Sequence, residues 1–178
     1  MDGAMRLLGA VLAGGESRRF GSDKAMALLD DRALIAHALD ALAAQTDAAI
    51  VVGRDWAVVD RPPGGLGPLA GINAALCYAH LCGYDAVLTC ACDTPRLPPN
   101  LSELLAGGGY LAEMPVIGLW PVVLFGSLDA YICDDEIDDL SVRGWAAWAG
   151  VRRVMLGAPV ANINTPAELE AFRRGPAG

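Results

Sequence analysis

The stretch LGAVLAGGESRRFGSDKAMALL, residues 8–29, joins a run of small apolar residues to two glycines, two arginines and an Asp-Lys pair. An apolar run that ends at a pair of glycines predicts a buried β-strand followed by a tight turn. Glycines let backbone N–H groups face a ligand closely, while arginine and lysine add charge that can hold phosphates. The stretch therefore predicts the first strand of a sheet, with an anion-binding loop after it.

The loop alone does not decide whether it binds an anion or is only a glycine turn. The stretch contains neither the G-x-x-x-x-G-K-[ST] pattern nor the G-x-G-x-x-G pattern of the familiar phosphate-binding loops. An isolated glycine pair is more often a turn flanked by solvated arginines. The remaining chain has to decide between the two interpretations.

Short apolar segments alternate with segments of helical periodicity along the chain. This alternation predicts a three-layer αβα sandwich with a mostly parallel sheet, in one domain that covers residues 1–178. The predicted strands cover residues 7–15, 48–53, 56–60, 85–93, 115–121 and 151–156, and the predicted helices cover residues 32–45, 69–82, 101–107, 122–133, 141–150 and 165–174.

Composition excludes several classes of protein. The net charge of −8 argues against nucleic-acid binding, which usually needs a basic face. The longest uncharged run of the second half, residues 114–128, is shorter than the ~20 residues of a membrane-spanning helix. The first residues do not resemble a secretory leader, and five cysteines suggest no disulfide framework, so we expect a cytoplasmic protein that binds no membrane.

An aspartate stands at the end of a predicted central strand. The segment DAVLTCACD, residues 85–93, has a nearly uncharged interior, and TPRLPP follows it and cannot continue the strand. Ligands of parallel sheets bind beyond the carboxyl ends of the strands, so Asp93 is expected near the loop after the first strand. An aspartate at that edge can hold a Mg²⁺ that bridges phosphate oxygens, although an isolated aspartate also suits a turn cap.

Five blocks of sequence, spread over most of the chain, carry a resemblance to a known family. Together they resemble, in the same order, the motifs of the molybdenum cofactor guanylyltransferase (MobA-like) family of nucleotidyltransferases. The first block is shared with other nucleotidyltransferases, and the later blocks narrow the resemblance to this branch. The blocks are LAGGESRRFGSDK (residues 12–24), GPLAGI (67–72), CDTP (92–95), PVIGLW (115–120) and NINTPAEL (162–169).

The resemblance implies a fold, a reaction and a set of residues. The fold is the Rossmann-like type of the nucleotide-diphospho-sugar transferases, with a nucleotide-binding half at about 1–100 and an acceptor half at about 101–178. The implied reaction transfers GMP from GTP to the phosphate of molybdopterin with Mg²⁺ and releases pyrophosphate. The implied catalytic residues are Lys24, Arg19 and Asp93, with Asp93 as the metal ligand; the nucleotide would also contact Leu12, Ala13, Gly14, Gly15, Asp60 and Gly67, and the acceptor would contact Asn162, Asn164 and Arg143.

The chain departs from the family pattern at three places. Gly53 stands where the family usually has asparagine, and Met114 replaces a histidine. Acidic residues fill 133–140, where an anionic acceptor is expected to dock. Two alternatives therefore stay open: a related nucleotidyltransferase that uses CTP or a sugar or alditol phosphate, and a non-catalytic protein that kept the fold. Transient contacts with cofactor-delivery or acceptor enzymes are also expected.

Overall fold

The computed structural model describes residues 5–14 and 23–174, so the predicted site residues Gly15 and Arg19 lie outside the described residues. The strands are β1 (Leu7–Leu12), β2 (Leu28–Leu29), β3 (Arg32–Ala33), β4 (Ala48–Val52), β5 (Ala86–Ala91), β6 (Gly109–Leu111), β7 (Gly118–Pro121) and β8 (Arg153–Val154). The α-helices are α1 (Leu34–Ala43), α2 (Pro68–Cys82), α3 (Leu101–Leu104), α4 (Phe125–Ile132), α5 (Val142–Trp148) and α6 (Pro166–Arg174).

Six strands form one sheet in the order β4-β1-β5-β7-β6-β8. β1 pairs in parallel with β4 and β5, and β6 pairs in parallel with β8. Only β7 runs against its neighbours, because it is antiparallel to both β5 and β6. Five strands of this sheet therefore point the same way, which confirms the predicted mostly parallel sheet.

The alternation of side chains along β1 builds two separate cores. Leu8 and Leu12 pack with α2 on one face of the sheet, in a core that also takes residues of α4 and α5. Leu7 and Val11 point to the other face and pack with α1 and α3. Successive side chains of a strand alternate between faces, so a fully apolar strand must be covered on both sides. The result is the predicted three-layer αβα sandwich.

The predicted strand at residues 56–60 is wrong. Only Val58 makes a bridge there, in parallel with Val52. A turn bonds the Ala57 N–H to the Arg54 carbonyl just before it, and the chain enters a proline- and glycine-rich loop just after it. The segment is therefore too short for a strand, and its last residue, Asp60, belongs to a loop.

Three shorter features also differ from the sequence prediction. The hairpin of β2 and β3 and the strand β6 were not predicted, because each is only two or three residues long. The predicted strand at 151–156 shrinks to the two residues of β8. In the described ranges, no helix combines the length and apolar character needed to cross a membrane.

The carboxyl ends of β1, β4 and β5 lie side by side. The Cys92 N–H donates to the Leu12 carbonyl at 3.1 Å, and the Ala13 N–H donates to the Val52 carbonyl at 2.8 Å. The residues that follow these three strands therefore meet at one edge of the sheet. This edge holds most of the predicted site residues.

Candidate active site

A lysine, an aspartate and an asparagine from three distant segments meet at this edge. Lys24 Nζ lies 2.6 Å from Asp93 Oδ2 and donates to Asn164 Oδ1 at 3.2 Å. The Asp93 and Lys24 side chains are only 12% and 18% exposed. The Ile163 N–H donates to the Asp93 carbonyl at 2.9 Å, which fixes the segment that carries Asn164. A charged amine and a carboxylate are thus held together at a strand end, where ligands of such sheets bind.

Lys24 is placed by the residue before it. Asp23 caps the 3-10 helix Lys24–Met26, because its Oδ1 accepts from the Ala25 N–H. The Arg54 guanidinium binds both Asp23 carboxylate oxygens at 2.7 Å and thereby ties the end of β4 to this helix. The hydrogen bonds from Arg54 are the main cause of the lowered pKa of Asp23. Asp23 is therefore a positioning partner of Lys24.

The Asp60 carboxylate lies against three glycine backbones. A Cβ atom added to Gly14 would lie 2.9 Å from Asp60 Oδ2, and one added to Gly53 would lie 3.1 Å from Oδ1. One added to Gly71, in the first turn of α2, would lie 3.5 Å from Oδ1. No described residue donates a hydrogen bond to this carboxylate, and burial raises its pKa. Two acceptor oxygens are therefore presented at the edge where β1 and β4 end.

The surroundings of Gly53 explain why this position does not carry the asparagine side chain that the family usually has. Its φ of +87° lies in the region that favours glycine, and an added Cβ would lie 2.5 Å from the Gly14 nitrogen and 2.7 Å from the Gly14 Cα. Real Cβ atoms do not approach backbone that closely. The end of β4 is therefore packed directly on the end of β1, and the space for a side chain at position 53 is closed.

We expect Gly53→Asn to destabilise the protein, although asparagine is the residue that the family usually has at this position. The strained φ and the collision with Gly14 together predict a loss of about 2 kcal/mol or more in the free energy of unfolding. Urea unfolding followed by circular dichroism measures this loss. Gly150→Asn is a matched control, since Gly150 has a φ of +68° but open space around it. Equal stability of Gly53→Asn and the wild type would show that the two strand ends separate easily.

The backbone residues predicted to bind the nucleotide occupy different environments. Leu12 and Ala13 are buried, and the backbone bonds described above engage the Leu12 carbonyl and the Ala13 N–H. Gly14 is exposed, so its backbone is accessible. Gly67 is also exposed and serves as the N-cap of α2, with a φ of 56°. Direct contacts of Leu12, Ala13, Gly14 and Gly67 with a nucleotide stay predictions.

The residues predicted to bind the acceptor do not form one cluster. Asn164 belongs to the Lys24–Asp93 group, while Asn162, two residues earlier, is exposed. Arg143 on α5 donates to the Ala112 carbonyl at 2.8 Å, just after β6. β7 separates β6 from β5 in the sheet. Arg143 therefore lies at the same edge of the sheet as Asp93 but two strands away.

The donor chemistry around Asp93 fits a particular kind of metal site. Within residues 5–14 and 23–174, no group of three or more His, Cys, Asp and Glu side chains could hold a metal ion by itself. Mg²⁺ is typically bound by one or two carboxylates, several waters and substrate phosphates. A single strand-end carboxylate beside a lysine therefore fits a Mg²⁺ that arrives with a polyphosphate.

Sequence reasoning did not identify two side chains that shape the site. Arg54, which holds Asp23, stands after Gly53 at the end of β4 and carries no sequence pattern that would mark it. Asn73 on α2 is fully buried and donates to the Arg61 carbonyl, next to Asp60. Its one sequence signal is a lone polar residue inside the apolar run LAGINAALC, residues 69–77.

Comparison with known proteins gives a consistent result. A family model described as the MobA-like NTP transferase domain matches residues 9–119. The molybdenum cofactor guanylyltransferases of Rhizobium johnstonii and Rhodobacter capsulatus are each 36% identical to this chain, over 94% and 93% of it and 92% and 94% of their own lengths.

Solved structures share the fold. Molybdopterin-guanine dinucleotide biosynthesis protein A of Archaeoglobus fulgidus has a TM-score of 0.67 at 24% identity, over 94% of this chain and 97% of that one. The 2-C-methyl-D-erythritol 4-phosphate cytidylyltransferase of Thermus thermophilus has a TM-score of 0.66 at 14% identity, over 93% and 98%. At these identities the two likenesses show the shared fold.

Proposed function

The chain belongs to the MobA-like NTP transferase family, and on that basis we propose that it transfers GMP from GTP to the phosphate of molybdopterin and releases pyrophosphate. The structural observation that carries the proposal is the Lys24–Asp93–Asn164 cluster, at the sheet edge where the Asp60 carboxylate also lies. The curated relatives that match nearly the whole chain are named for this activity. The proposed location is the cytoplasm, where GTP is available.

The proposed binding of the base rests on Asp60. The Watson–Crick edge of guanine presents N1–H and the N2 amino group as adjacent donors. A carboxylate offers two acceptor oxygens and forms charge-assisted hydrogen bonds with such a pair. Adenine presents a ring nitrogen acceptor in place of N1–H and would meet the carboxylate with repulsion. The Asp60 carboxylate, which accepts no hydrogen bond from a described residue, therefore supports a preference for guanine.

The proposed chemistry needs no strong base. A phosphate oxygen of the acceptor attacks the α-phosphorus of GTP, and the bond from that phosphorus to the oxygen leading to the β-phosphate breaks. Pyrophosphate leaves with the electron pair. We propose that Lys24, which contacts Asp93, neutralises the negative charge that accumulates on the phosphates and that Arg19 assists it. Asn164, which bonds Lys24, would bring the acceptor subsite next to the triphosphate.

Asp93 is the proposed holder of Mg²⁺, together with the phosphates of the nucleotide. When bound, the ion would supply further positive charge at the α-phosphate and the leaving pyrophosphate. The acceptor would be oriented by Asn162, Asn164 and Arg143. Transient contacts with enzymes that deliver the pterin or receive the product are part of the same proposal.

Ranking the nucleotides by thermal shift tests the proposal. The purified protein is heated with Mg²⁺ and with GTP, ATP, CTP or UTP at equal concentration. A ligand that binds the native state raises the melting temperature according to its affinity, so GTP is expected to give the largest increase. A larger increase with CTP would contradict the proposed substrate and favour a cytidylyltransferase.

Replacing Asp60 with asparagine is expected to weaken GTP binding by about tenfold or more, because the variant loses charge-assisted hydrogen bonds to the base. Burial raises the pKa of Asp60, so the wild type should lose GTP affinity as pH falls through that raised pKa. Calorimetric titration at several pH values measures both effects. If the variant loses affinity over the same pH range as the wild type, another group is titrating.

The same raised pKa predicts the direction of a stability change. A carboxyl group whose folded pKa exceeds its unfolded pKa binds its proton more tightly in the folded state. The stability that this proton linkage contributes is present at low pH and is lost as pH rises through the folded pKa of Asp60. The asparagine of Asp60→Asn cannot ionise, so the variant does not lose this stability as pH rises. It should therefore be at least as stable as the wild type at pH 7.

A further inference from the structure

Arg61, the residue after Asp60, is held at four atoms. Its N–H donates to the Ala70 carbonyl at 3.1 Å, and its own carbonyl accepts from Asn73 Nδ2 at 3.2 Å. Its guanidinium donates through Nε to Asp129 Oδ1 at 3.2 Å and through Nη2 to Asp129 Oδ2 at 3.3 Å. Backbone and side chain of this residue are therefore tied to both α2 and α4.

Asn73 connects the backbone of Arg61 to the ion pair that its side chain forms with Asp129. Its Nδ2 also donates to Asp129 Oδ1, at 3.0 Å, so one amide group bonds both the backbone of Arg61 and the carboxylate that holds its side chain. Both partners are acceptors, which fixes the orientation of the amide. The hydrogen bonds from Asn73, and then those from Arg61, lower the pKa of Asp129. The three side chains therefore form one connected network.

Asn73 costs stability where it stands. Its side chain is fully buried on a helix that packs apolar residues against the sheet, and its Oδ1 has no hydrogen-bond partner within residues 5–14 and 23–174. Burying an unpaired polar atom is unfavourable, and a leucine would fill the same space without that cost. The need to hold Arg61 in place therefore explains the network better than a gain in folding free energy does.

Asp60 needs such support, because its own carboxylate has no hydrogen-bond donor among the described residues. Its position is set by the backbone that carries it and by the glycines against which it lies. The backbone on its C-terminal side is that of Arg61. A shift of Arg61 would therefore move the Asp60 oxygens relative to the bound base.

We propose that Asn73, Arg61 and Asp129 are positioning residues that hold Asp60 in register with the edge of guanine and thereby set the preference for GTP over ATP. This inference rests on the proposed function of the same site. Two hydrogen bonds to adjacent donors of guanine require accurate placement of the carboxylate, whereas a displaced carboxylate distinguishes guanine from adenine poorly. None of the three residues needs to touch the nucleotide.

The opposing explanation is that the network only braces the fold. The Arg61 and Asp129 side chains are 48% and 38% exposed, and exposed ion pairs contribute little to stability. Removing the ion pair should therefore leave the melting temperature almost unchanged. A role in bracing the fold gives no reason for the affinities for GTP and ATP to change by different factors.

Binding measurements on three variants test the proposal. Asp129→Ala removes the carboxylate. Asn73→Leu keeps the site filled but removes the amide group that donates both hydrogen bonds. Asp40→Ala is the control, because Asp40 on α1 forms an exposed ion pair with Arg32 of β3, with side chains 63% and 52% exposed. Dissociation constants for GTP and ATP are measured by calorimetry with Mg²⁺ and without acceptor, alongside the melting temperature.

We expect Asp129→Ala and Asn73→Leu to weaken GTP binding about tenfold while ATP binding and the melting temperature of Asp129→Ala stay near wild type. The control should keep the full preference for GTP. The positioning role would be overturned if Asp129→Ala left the ratio of the GTP and ATP dissociation constants unchanged, either because both affinities are retained or because both fall by the same factor. A wild type without preference for GTP would instead contradict the proposed function. If Asn73→Leu does not fold, Asp129→Ala decides the question.

Discussion

Replacing Asp93 with asparagine is expected to lower kcat for nucleotidyl transfer by about 100- to 1000-fold, the effect typical of losing one group that stabilises transition-state charge. The amide keeps the shape of the side chain but loses the charge that would hold Mg²⁺ at the phosphates. Asp93 stands after β5 and contacts Lys24 at 2.6 Å, so the substitution falls beside the lysine that is proposed to neutralise the phosphates. The rate is measured as pyrophosphate release with saturating GTP and acceptor.

A control separates this effect from damage to the strand. Asp85 precedes β5 at the opposite edge of the sheet, where its Oδ2 accepts from the Arg6 N–H at 2.7 Å. Asp85→Asn makes the same chemical change at the far end of the same strand and should leave kcat unchanged. Full activity of Asp93→Asn would remove Asp93 from the reaction, and equal losses in both variants would indicate a defect of the strand.

Replacing Lys24 with methionine is expected to lower kcat/KM by about 100-fold or more, because the variant loses the positive charge beside Asp93 that is proposed to neutralise the triphosphate. Methionine keeps most of the length of the side chain without the charge. Steady-state kinetics with varied GTP measures the loss. Lys24→Arg, which retains the charge, should recover part of it, whereas equal activity of both variants would show that the charge is not required.

The double variant Lys24→Met/Asp93→Asn tests whether the two groups act as a unit. Residues in direct contact generally show non-additive effects. Because both are proposed to act on the same phosphates, the combined loss should be much smaller than the product of the two single losses. A fully multiplicative loss would mean that the ion pair of Lys24 and Asp93 has no part in the joint action.

The sequence predicted the parts of this site that depend on strand ends. Asp93 could be placed because it ends an uncharged run and is followed by residues that cannot continue a strand. The comparison with known families confirms the resemblance on which Asp60 was chosen. The residues alone suggested that Asp60 would end a strand, but it lies in a loop, against glycines that follow β1 and β4 and a glycine in α2.

The remaining parts of the site depend on contacts that no local pattern encodes. Gly53 was read as a missing side chain, whereas the structure shows a position from which Gly14 excludes any side chain. Asn164 stays a predicted acceptor contact, and the sequence did not indicate that its amide oxygen accepts from Lys24. Asp129 lies in the half assigned to the acceptor and bonds Arg61 in the nucleotide half. Such pairings join residues that are 39 to 140 positions apart, so only the assembled fold reveals them.

Direct synthesis of the product is the most decisive measurement. The purified protein is incubated with Mg²⁺, molybdopterin and either GTP or CTP, and the dinucleotide and pyrophosphate are quantified by chromatography and mass spectrometry. We expect the guanine dinucleotide to form from GTP with one pyrophosphate for each GMP transferred, and no comparable product to form from CTP. Formation of the cytosine dinucleotide instead, or GTP left intact in the presence of the acceptor, would contradict the proposed guanylyltransferase activity.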